Sequence, residues 1–309
     1  MKFAIAVVLA CLGVLPAWAG TLAPGDYRFE LAVDGRGRSY FVHVPRQGAA
    51  QALPVMIMLH GGGGNARQFR HDAELDAAAD RDGYIAVYPN GSGGLRDSLL
   101  TWNAGTCCGY AMQHGINDVH FVAAMLDDLG RRANIDARRI YAAGHSNGGM
   151  MALRLGAELP ERIAAVASMA GAYMPGMSAA RAVPVLHIHS VDDPRALYAG
   201  GLGPPFPLTG HREQHVPVAD ALAAWARRDG CDPLLLERES RTLDGHTARL
   251  LVYGHCRDGT EVAHWKLTGA GHGWAGSRPV REGLIGPGTH VVDASTEIWR
   301  FVSRFTLPD

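Results

Sequence analysis

Ser146 stands in Gly144-His145-Ser146-Asn147-Gly148, a Gly-x-Ser-x-Gly pattern that follows the apolar run Ile140–Ala143 and precedes a helical pattern from Met150. A strand turning abruptly into a helix at a serine is the setting of a nucleophile elbow. The turn is so sharp that side chains flanking the serine would collide with the neighbouring strand and helix, which accounts for Gly144 and Gly148. Such a turn holds the hydroxyl clear of the backbone at a helix N-terminus, where unpaired N–H groups and the helix dipole favour developing negative charge. The Asn147 N–H is therefore a candidate oxyanion donor. The competing reading of these five residues is an ordinary N-cap serine in a glycine-rich turn. Upstream, Val55–Leu59 runs into His60-Gly61-Gly62-Gly63-Gly64-Asn65, a His-Gly turn in which Gly61 or Gly62 would supply the second oxyanion N–H. No Gly-Lys-Ser/Thr follows, so these glycines do not make a nucleotide P-loop.

A serine hydroxyl is a poor nucleophile at neutral pH unless a histidine removes its proton and a carboxylate orients that histidine. With an elbow of this kind the chain order is Ser, then acid, then His. Val183–His189 leads into Ser190-Val191-Asp192-Asp193-Pro194, which makes Asp193 the candidate acid, with Asp192 as its neighbouring rival. His272, in Gly269-Ala270-Gly271-His272-Gly273-Trp274 after the strand pattern Val262–Leu267, is the candidate base; its position singles it out from fifteen histidines. Trp102 and Trp274 offer an apolar or stacking wall for an acyl group, or else belong to the core. His187 and His189 would share one strand face, a spacing that can bind metal, but no third ligand can be named. Two satisfied core histidines are the simpler reading, and neither metal nor cofactor is expected. Asp127 and Asp128 are adjacent on a helical pattern, cannot both face one bond, and read as a solvated face.

Continuous apolar runs recur at Val55–Leu59, Tyr84–Tyr88, Ile140–Ala143, Ile163–Met169 and Val183–Ile188, the pattern of strands buried on both faces. Between them Asp118–Leu129, Met150–Glu158 and Val218–Arg227 carry apolar residues at helical spacing, and Asp293–Phe305 reads as a closing helix. Strands alternating with helices predict an α/β fold with a mostly parallel central sheet and flanking helices. Tyr27–Val33 and Ser39–Val44, flanking Asp34-Gly35-Arg36-Gly37, predict an N-terminal antiparallel hairpin at one edge. Tyr198–Val216 is rich in Gly and Pro and too long for a simple connection, which makes it a candidate binding loop or lid.

Met1-Lys2, the apolar stretch Phe3–Leu15 and Ala17-Trp18-Ala19 have the layout of a secretory signal peptide, so residues 1–19 are expected to be removed and 20–309 to form one domain. Lipid attachment at Cys11 is the rival, disfavoured because the apolar run continues past it. Export to the periplasm or the medium is expected, and no later segment has the length of apolar sequence that spans a bilayer. Composition is 47% hydrophobic and 19% charged with a formal net charge of −1, so no long-range field favours nucleic acid or anionic lipid. Without Cys11 the remaining cysteines are Cys107, Cys108, Cys231 and Cys256, an even number in an exported chain. They allow three pairings and the sequence does not choose; Cys231–Cys256 is favoured, tying a helix end to a nearby strand. A bond between Cys107 and Cys108 would be strained, and two small buried side chains are its alternative.

Taken together, the chain resembles the polyhydroxybutyrate depolymerase-like and feruloyl esterase group of carbohydrate esterase-like proteins over roughly residues 38–305. The motifs that carry the likeness are Leu59-His60-Gly61-Gly62, Tyr88-Pro89-Asn90-Gly91, Thr101-Trp102-Asn103 with Cys107-Cys108-Gly109, Asn117-Asp118-Val119, Gly144–Gly149 and Gly271-His272-Gly273-Trp274. The resemblance implies an α/β-hydrolase fold and a secreted serine esterase with Ser146, Asp193 and His272 as its triad. Asp193 matches the acid of a His-Gly-Thr-x-Asp-Pro pattern, although Ser190-Val191 replaces Gly-Thr and Arg195-Ala196-Leu197 departs from a more apolar sequence. Trp225–Cys231 matches a Trp-containing helix ending in a cysteine, and Cys256 is similar to its partner. The implied partners are hydroxycinnamoyl esters on plant polysaccharide or hydroxyalkanoate oligomers. A catalytically silent extracellular binding protein on the same fold is the alternative from another class, and peptidase activity the alternative among hydrolases.

Overall fold

The computed structural model describes residues 22–47, 51–171, 176–177, 179–206, 210, 212–278 and 282–308. The expected leader 1–19, with Cys11, lies outside these residues. One sheet of ten strands runs through the molecule. Its strands in chain order are β1 (Gly25–Val33), β2 (Arg36–Val44), β3 (Leu53–Leu59), β4 (Ile85–Pro89), β5 (Ile135–His145), β6 (Ala165–Met169), β7 (Val185–Ser190), β10 (Leu235–Leu243), β11 (His246–Tyr253) and β12 (Val262–Thr268), while β8 (Gly201–Leu202) and β9 (Gln214–His215) form a small separate ribbon. The spatial order is β1-β2-β4-β3-β5-β6-β7-β12-β11-β10. From β4 through β12 neighbours are parallel, and antiparallel hairpins close both edges.

The parallel strands are buried on both faces for the reason their sequences suggest. In β3, Met56 and Met58 enter one apolar cluster while Val55, Ile57 and Leu59 enter the other, the period-2 alternation of a strand with helices on either side. The first face is covered by α1 (Ala66–Asp72), α2 (Leu75–Asp82) and α8 (Ala294–Val302), through Phe69, Leu75, Ala78, Ile298 and Phe301. The second is covered by α4 (Asp118–Arg132), α5 (Asn147–Glu158) and α6 (Val218–Arg228), through Phe121, Met125, Met151, Leu155, Leu222 and Trp225. Two short helices, α3 (Gly109–Gln113) and α7 (Glu282–Ile285), lie in connections. The first hairpin is tighter than the sequence reading, with only Asp34 and Gly35 between strands, both left-handed at φ 50° and 71°, as a two-residue primed turn requires.

Asp118 explains the Asn117-Asp118 motif. Asn117 caps α4 by accepting the His120 N–H. Asp118 is fully buried and accepts from Arg38 Nη2 at 2.7 Å and from the Asn103 N–H at 2.8 Å. Arg38 also donates to the Asn90 carbonyl and lies over the Phe121 ring. One carboxylate thus joins β2, α4 and the loop that carries Trp102. Burial raises the Asp118 carboxyl above its ordinary value, with the Arg38 charge and the Asn103 hydrogen bond opposing it. Asp118→Asn is expected to destabilise the fold by about 3 kcal/mol, because it strands a buried guanidinium without its counter-charge. Urea unfolding followed by circular dichroism checks this; an unchanged midpoint would show the pair to be dispensable.

Cys231, just past α6, is bonded to Cys256, just past β11, as the sequence favoured. The sulfurs of Cys107 and Cys108 are also brought together, in the loop that follows Trp102.

Candidate active site

The site is built at the C-terminal ends of β3, β5, β7 and β12. At the end of β5 the chain reverses into α5 with Ser146 at φ 54°, ψ −121°, a left-handed strain that costs about 1–3 kcal/mol for a residue with a Cβ. The surroundings impose it. Ser146 N–H donates to the Met169 carbonyl at the end of β6 at 2.7 Å. A methyl group at Gly148 would collide with the Leu59 and His60 carbonyls, and one at Gly144 with the Gly148 backbone. The glycines at 144 and 148 thus have the crowding reason the sequence suggested.

Ser146 Oγ lies 2.8 Å from His272 Nε2, and His272 Nδ1–H donates to Asp193 Oδ2 at 2.7 Å. These residues are 126 and 79 positions apart in the chain. Asp193 is 4% exposed and His272 7%. The other carboxylate oxygen, Asp193 Oδ1, accepts the N–H groups of Arg195 and Ala196 at 2.7 and 2.9 Å. Although burial alone would raise it, the His272 charge and the hydrogen bonds from His189 and His272 hold the Asp193 carboxyl far below the ordinary carboxylate range. The rival, Asp192, faces elsewhere and accepts the Gly269 N–H at 2.7 Å. Ser190, where the family pattern has glycine, donates its hydroxyl to the Ala270 carbonyl. Both residues stitch the acid-bearing loop to the histidine-bearing one. The latter is tied down further by His272 N–H and Gly271 N–H donating to Ile285 and Pro287 carbonyls.

Gly61, Gly62 and Asn147 meet beside the serine. A Cβ on Gly61 would lie 3.6 Å from Ser146 Cβ, and one on Gly62 3.4 Å from Asn147 Cβ. Among the described residues no acceptor takes the N–H of Gly61, Gly62 or Asn147. The glycine turn is held by His60, whose Nε2 accepts from Gly91 N–H at 3.0 Å and whose Nδ1–H donates to the Gly61 carbonyl at 2.8 Å. Burial lowers the His60 pKa to about 4, so the ring is neutral and this tautomer persists at pH 7. His145 Nε2–H donates to the His272 carbonyl at 2.6 Å; burial first, then the His272 charge, lowers its pKa to about 4.

Trp102 and Trp274 do not line an open cleft, which corrects their reading as a substrate wall. Trp102 is 0% exposed: Asn147 Oδ1 accepts its backbone N–H, Asn147 Nδ2–H donates to its carbonyl, and its indole donates to the His60 carbonyl. It buttresses the glycine turn from beneath. Trp274 is 6% exposed, packs edge-on to Phe69 and donates to Ser295 Oγ. The aromatic residue at the site's surface is instead Phe206, whose ring would lie 3.0 Å from a Cβ on Gly62. It belongs to the Gly/Pro-rich segment after Tyr198, pinned by the β8–β9 ribbon and by Arg195 donating to the Pro205 carbonyl. Nothing in local sequence distinguishes Phe206 from other loop aromatics.

The facing nitrogens of His187 and His189 are 3.0 Å apart and hydrogen-bonded to one another. Asp26, His43 and Asp76 also converge, but Arg70 already donates to both carboxylates.

A serine at a strained strand-to-helix turn, hydrogen-bonded to a histidine after β12 that in turn meets an aspartate after β7, sits on the mostly parallel sheet of an α/β-hydrolase fold. Residues 38–203 match the family described as Esterase PHB depolymerase, and the chain belongs to it. The chain is 30% identical over 276 residues to NocK of Nocardia uniformis subsp. tsuyamanensis, which is named for an esterase, covering 83% of this chain and 76% of that one. It is 28% identical over 285 residues to the bifunctional acetylxylan esterase/xylanase XynS20E of Neocallimastix patriciarum and over 269 residues to feruloyl esterase B of Piromyces equi. Those alignments cover 91% and 84% of this chain but span only 35% and 43% of those two proteins. In structure it is similar to the acetyl xylan esterase from Aspergillus awamori, with a TM-score of 0.55 at 14% identity over 84% of this chain and 97% of that one.

Proposed function

We propose that this is an exported serine esterase acting through Ser146, His272 and Asp193, with residues 1–19 as a cleaved leader and 20–309 as a single catalytic domain. The observation that carries the reading is the unbroken hydrogen-bonded run from Ser146 Oγ through His272 to Asp193, beside backbone N–H groups of Gly61, Gly62 and Asn147 that have no protein acceptor. His272 Nε2 takes the hydroxyl proton as Ser146 Oγ bonds to the ester carbonyl carbon. The carbonyl oxygen becomes an oxyanion held by Asn147 N–H and by Gly61 or Gly62 N–H. The carbon–oxygen bond to the alcohol then breaks, His272 returns the proton to the departing oxygen, and the acyl group stays on Ser146. Water, deprotonated by the same ring, attacks that acyl-enzyme; the carbon–oxygen bond to Ser146 Oγ breaks, His272 returns the proton to Oγ, and the acid leaves. Asp193 keeps the proton of neutral His272 on Nδ1 and stabilises the imidazolium that forms in each half-reaction.

The substrate class is esters of hydroxycinnamic or short acids on soluble plant oligosaccharide, or hydroxyalkanoate oligomers. The names of the feruloyl and acetylxylan esterase relatives support the first, and the family the second. Phe206 over the glycine turn supports an acyl group that stacks against one aromatic ring. The test is hydrolysis of methyl ferulate, acetylated xylan, hydroxybutyrate oligomers and a short nitrophenyl ester, with mass-spectrometric mapping of a serine-directed organophosphonate. Label on the Ser146 peptide with parallel loss of ester hydrolysis is expected, and the preferred acyl group names the subclass. A folded protein that takes no label would return the chain to the binding-protein alternative.

A further inference from the structure

The two histidines of β7 belong to a longer buried hydrogen-bonded run that reaches Asp193. His189 Nε2 lies 3.1 Å from Asp193 Oδ2 and 2.9 Å from the Ala196 carbonyl. Both are acceptors, so Nε2 carries the ring proton. His189 Nδ1 then accepts, and His187 Nε2–H donates to it at 3.0 Å. His264 Nδ1–H, from β12, donates to the His187 carbonyl at 3.1 Å, and its Nε2 accepts the Tyr198 hydroxyl at 3.0 Å. With one proton on each ring, the donors and acceptors of this buried run match throughout. It starts at Tyr198, where the Gly/Pro-rich loop begins, and ends on the same carboxylate oxygen that His272 uses.

We propose that His189 is a positioning residue for the reaction at Ser146, its Nε2–H fixing the plane of the Asp193 carboxylate and sharing Oδ2 with His272. This rests on the triad reading above. Three imidazoles in a core cost more to bury than the apolar side chains that would fill the same volume, and the run's chemical endpoint is Asp193. Without the His189 donor, the carboxylate keeps its Arg195 and Ala196 bonds at Oδ1 but loses the contact from β7 that sets Oδ2 against His272, and the charge Oδ2 now divides between two N–H groups falls on His272 alone. The first effect slows turnover. The second makes the imidazolium easier to form, so activity is lost at higher pH on the acid side. The ionisable groups around Asp193 are His189 from β7, His272 from the loop after β12, His215 from β9 and His145 from the elbow; His187, His264 and Lys266 stand behind them.

The experiment compares wild type, Ser146→Ala, His189→Leu and His189→Gln on a short nitrophenyl ester, taking kcat, KM and the pH profile of kcat/KM. His189→Leu is expected to lose about 10- to 100-fold in kcat with KM nearly unchanged, and to move the acid limb upward by about one pH unit. His189→Gln, whose amide N–H can reach the same oxygen, is expected to recover most of the kcat and the original limb. A folded leucine variant with wild-type kcat and limb, or a glutamine variant as impaired as leucine in both, overturns the proposal. Should the leucine variant not fold, imidazole ¹⁵N–¹H correlations of the wild type decide, with the His189 signal assigned by its loss in His189→Gln. A proton on Nε2 at neutral pH supports the proposal and one on Nδ1 overturns it. Activity surviving in Ser146→Ala would fail the triad reading itself, a result separable from any His189 outcome.

Discussion

Replacing Ser146 by alanine is expected to lower kcat/KM for a short nitrophenyl ester by about 10⁴- to 10⁶-fold, while leaving the unfolding midpoint in place. The chemical loss is large because an acyl-enzyme can no longer form and His272 is left with no nucleophile to activate. The residual turnover is expected to come from the proposed backbone donors of Gly61, Gly62 and Asn147, which would still polarise a bound carbonyl towards water. Stability is preserved because alanine meets the same left-handed backbone cost as serine at φ 54°, and the two backbone bonds there, Ser146 N–H to the Met169 carbonyl and Met150 N–H to the Ser146 carbonyl, are untouched. Steady-state kinetics with a thermal melt on the same samples separates the two. A folded variant retaining more than a tenth of the activity would remove Ser146 from the mechanism.

Asp193→Asn is expected to cost about 10⁴-fold in kcat, and the hydrogen bonds around Asp193 say why so isosteric a change does so much. All four neighbours of the carboxylate donate: His189 and His272 to Oδ2, Arg195 and Ala196 N–H to Oδ1. An amide NH₂ facing the histidines meets two ring N–H groups, and facing the loop meets two backbone N–H groups. In the first orientation His272 relieves the clash by moving its proton to Nε2, the nitrogen that must accept from Ser146. In the second, the loop after β7 must open. Recovery of activity at high pH by less than tenfold is expected, since no change of pH restores an acceptor at Oδ2. A fully active asparagine variant would show that the carboxylate charge is not used.

The elbow was legible because its geometry leaves so little choice. Only glycine fits at 144 and 148, and an apolar strand before it with a helix after it are visible in the chain. The parallel core strands were legible for a similar reason: burial on both faces writes an unbroken apolar run. The hairpin β10–β11 is not legible because both faces of β10 are largely exposed, so Leu235–Leu243 alternates with no clear period and carries four charged residues, Glu237, Arg238, Glu239 and Arg241. Trp102 and Trp274 sit inside the motifs that define the site, and sequence shows that an aromatic is present but not which side of a loop it faces. The spacing of His187 and His189 revealed a shared face, yet the group across from that face, Asp193, arrives by a turn whose path depends on Ser190, Asp192 and the neighbouring loop.

The distances in sequence that separate the reacting groups bear on how the molecule comes to be active. Ser146, Asp193 and His272 come from three loops that depend on β5, β7 and β12, and the last of these joins the sheet beside β7 only after 71 residues of intervening chain have found their places. Loop closure of that kind is paid for before any contact rewards it, and parallel pairing is slow for this reason. Helices and the early strands can therefore be native in circular dichroism while the site does not yet exist. On the proposed mechanism, ester hydrolysis becomes a reporter of completed folding, and a chain cut before β12 would retain the elbow without the histidine proposed as its base.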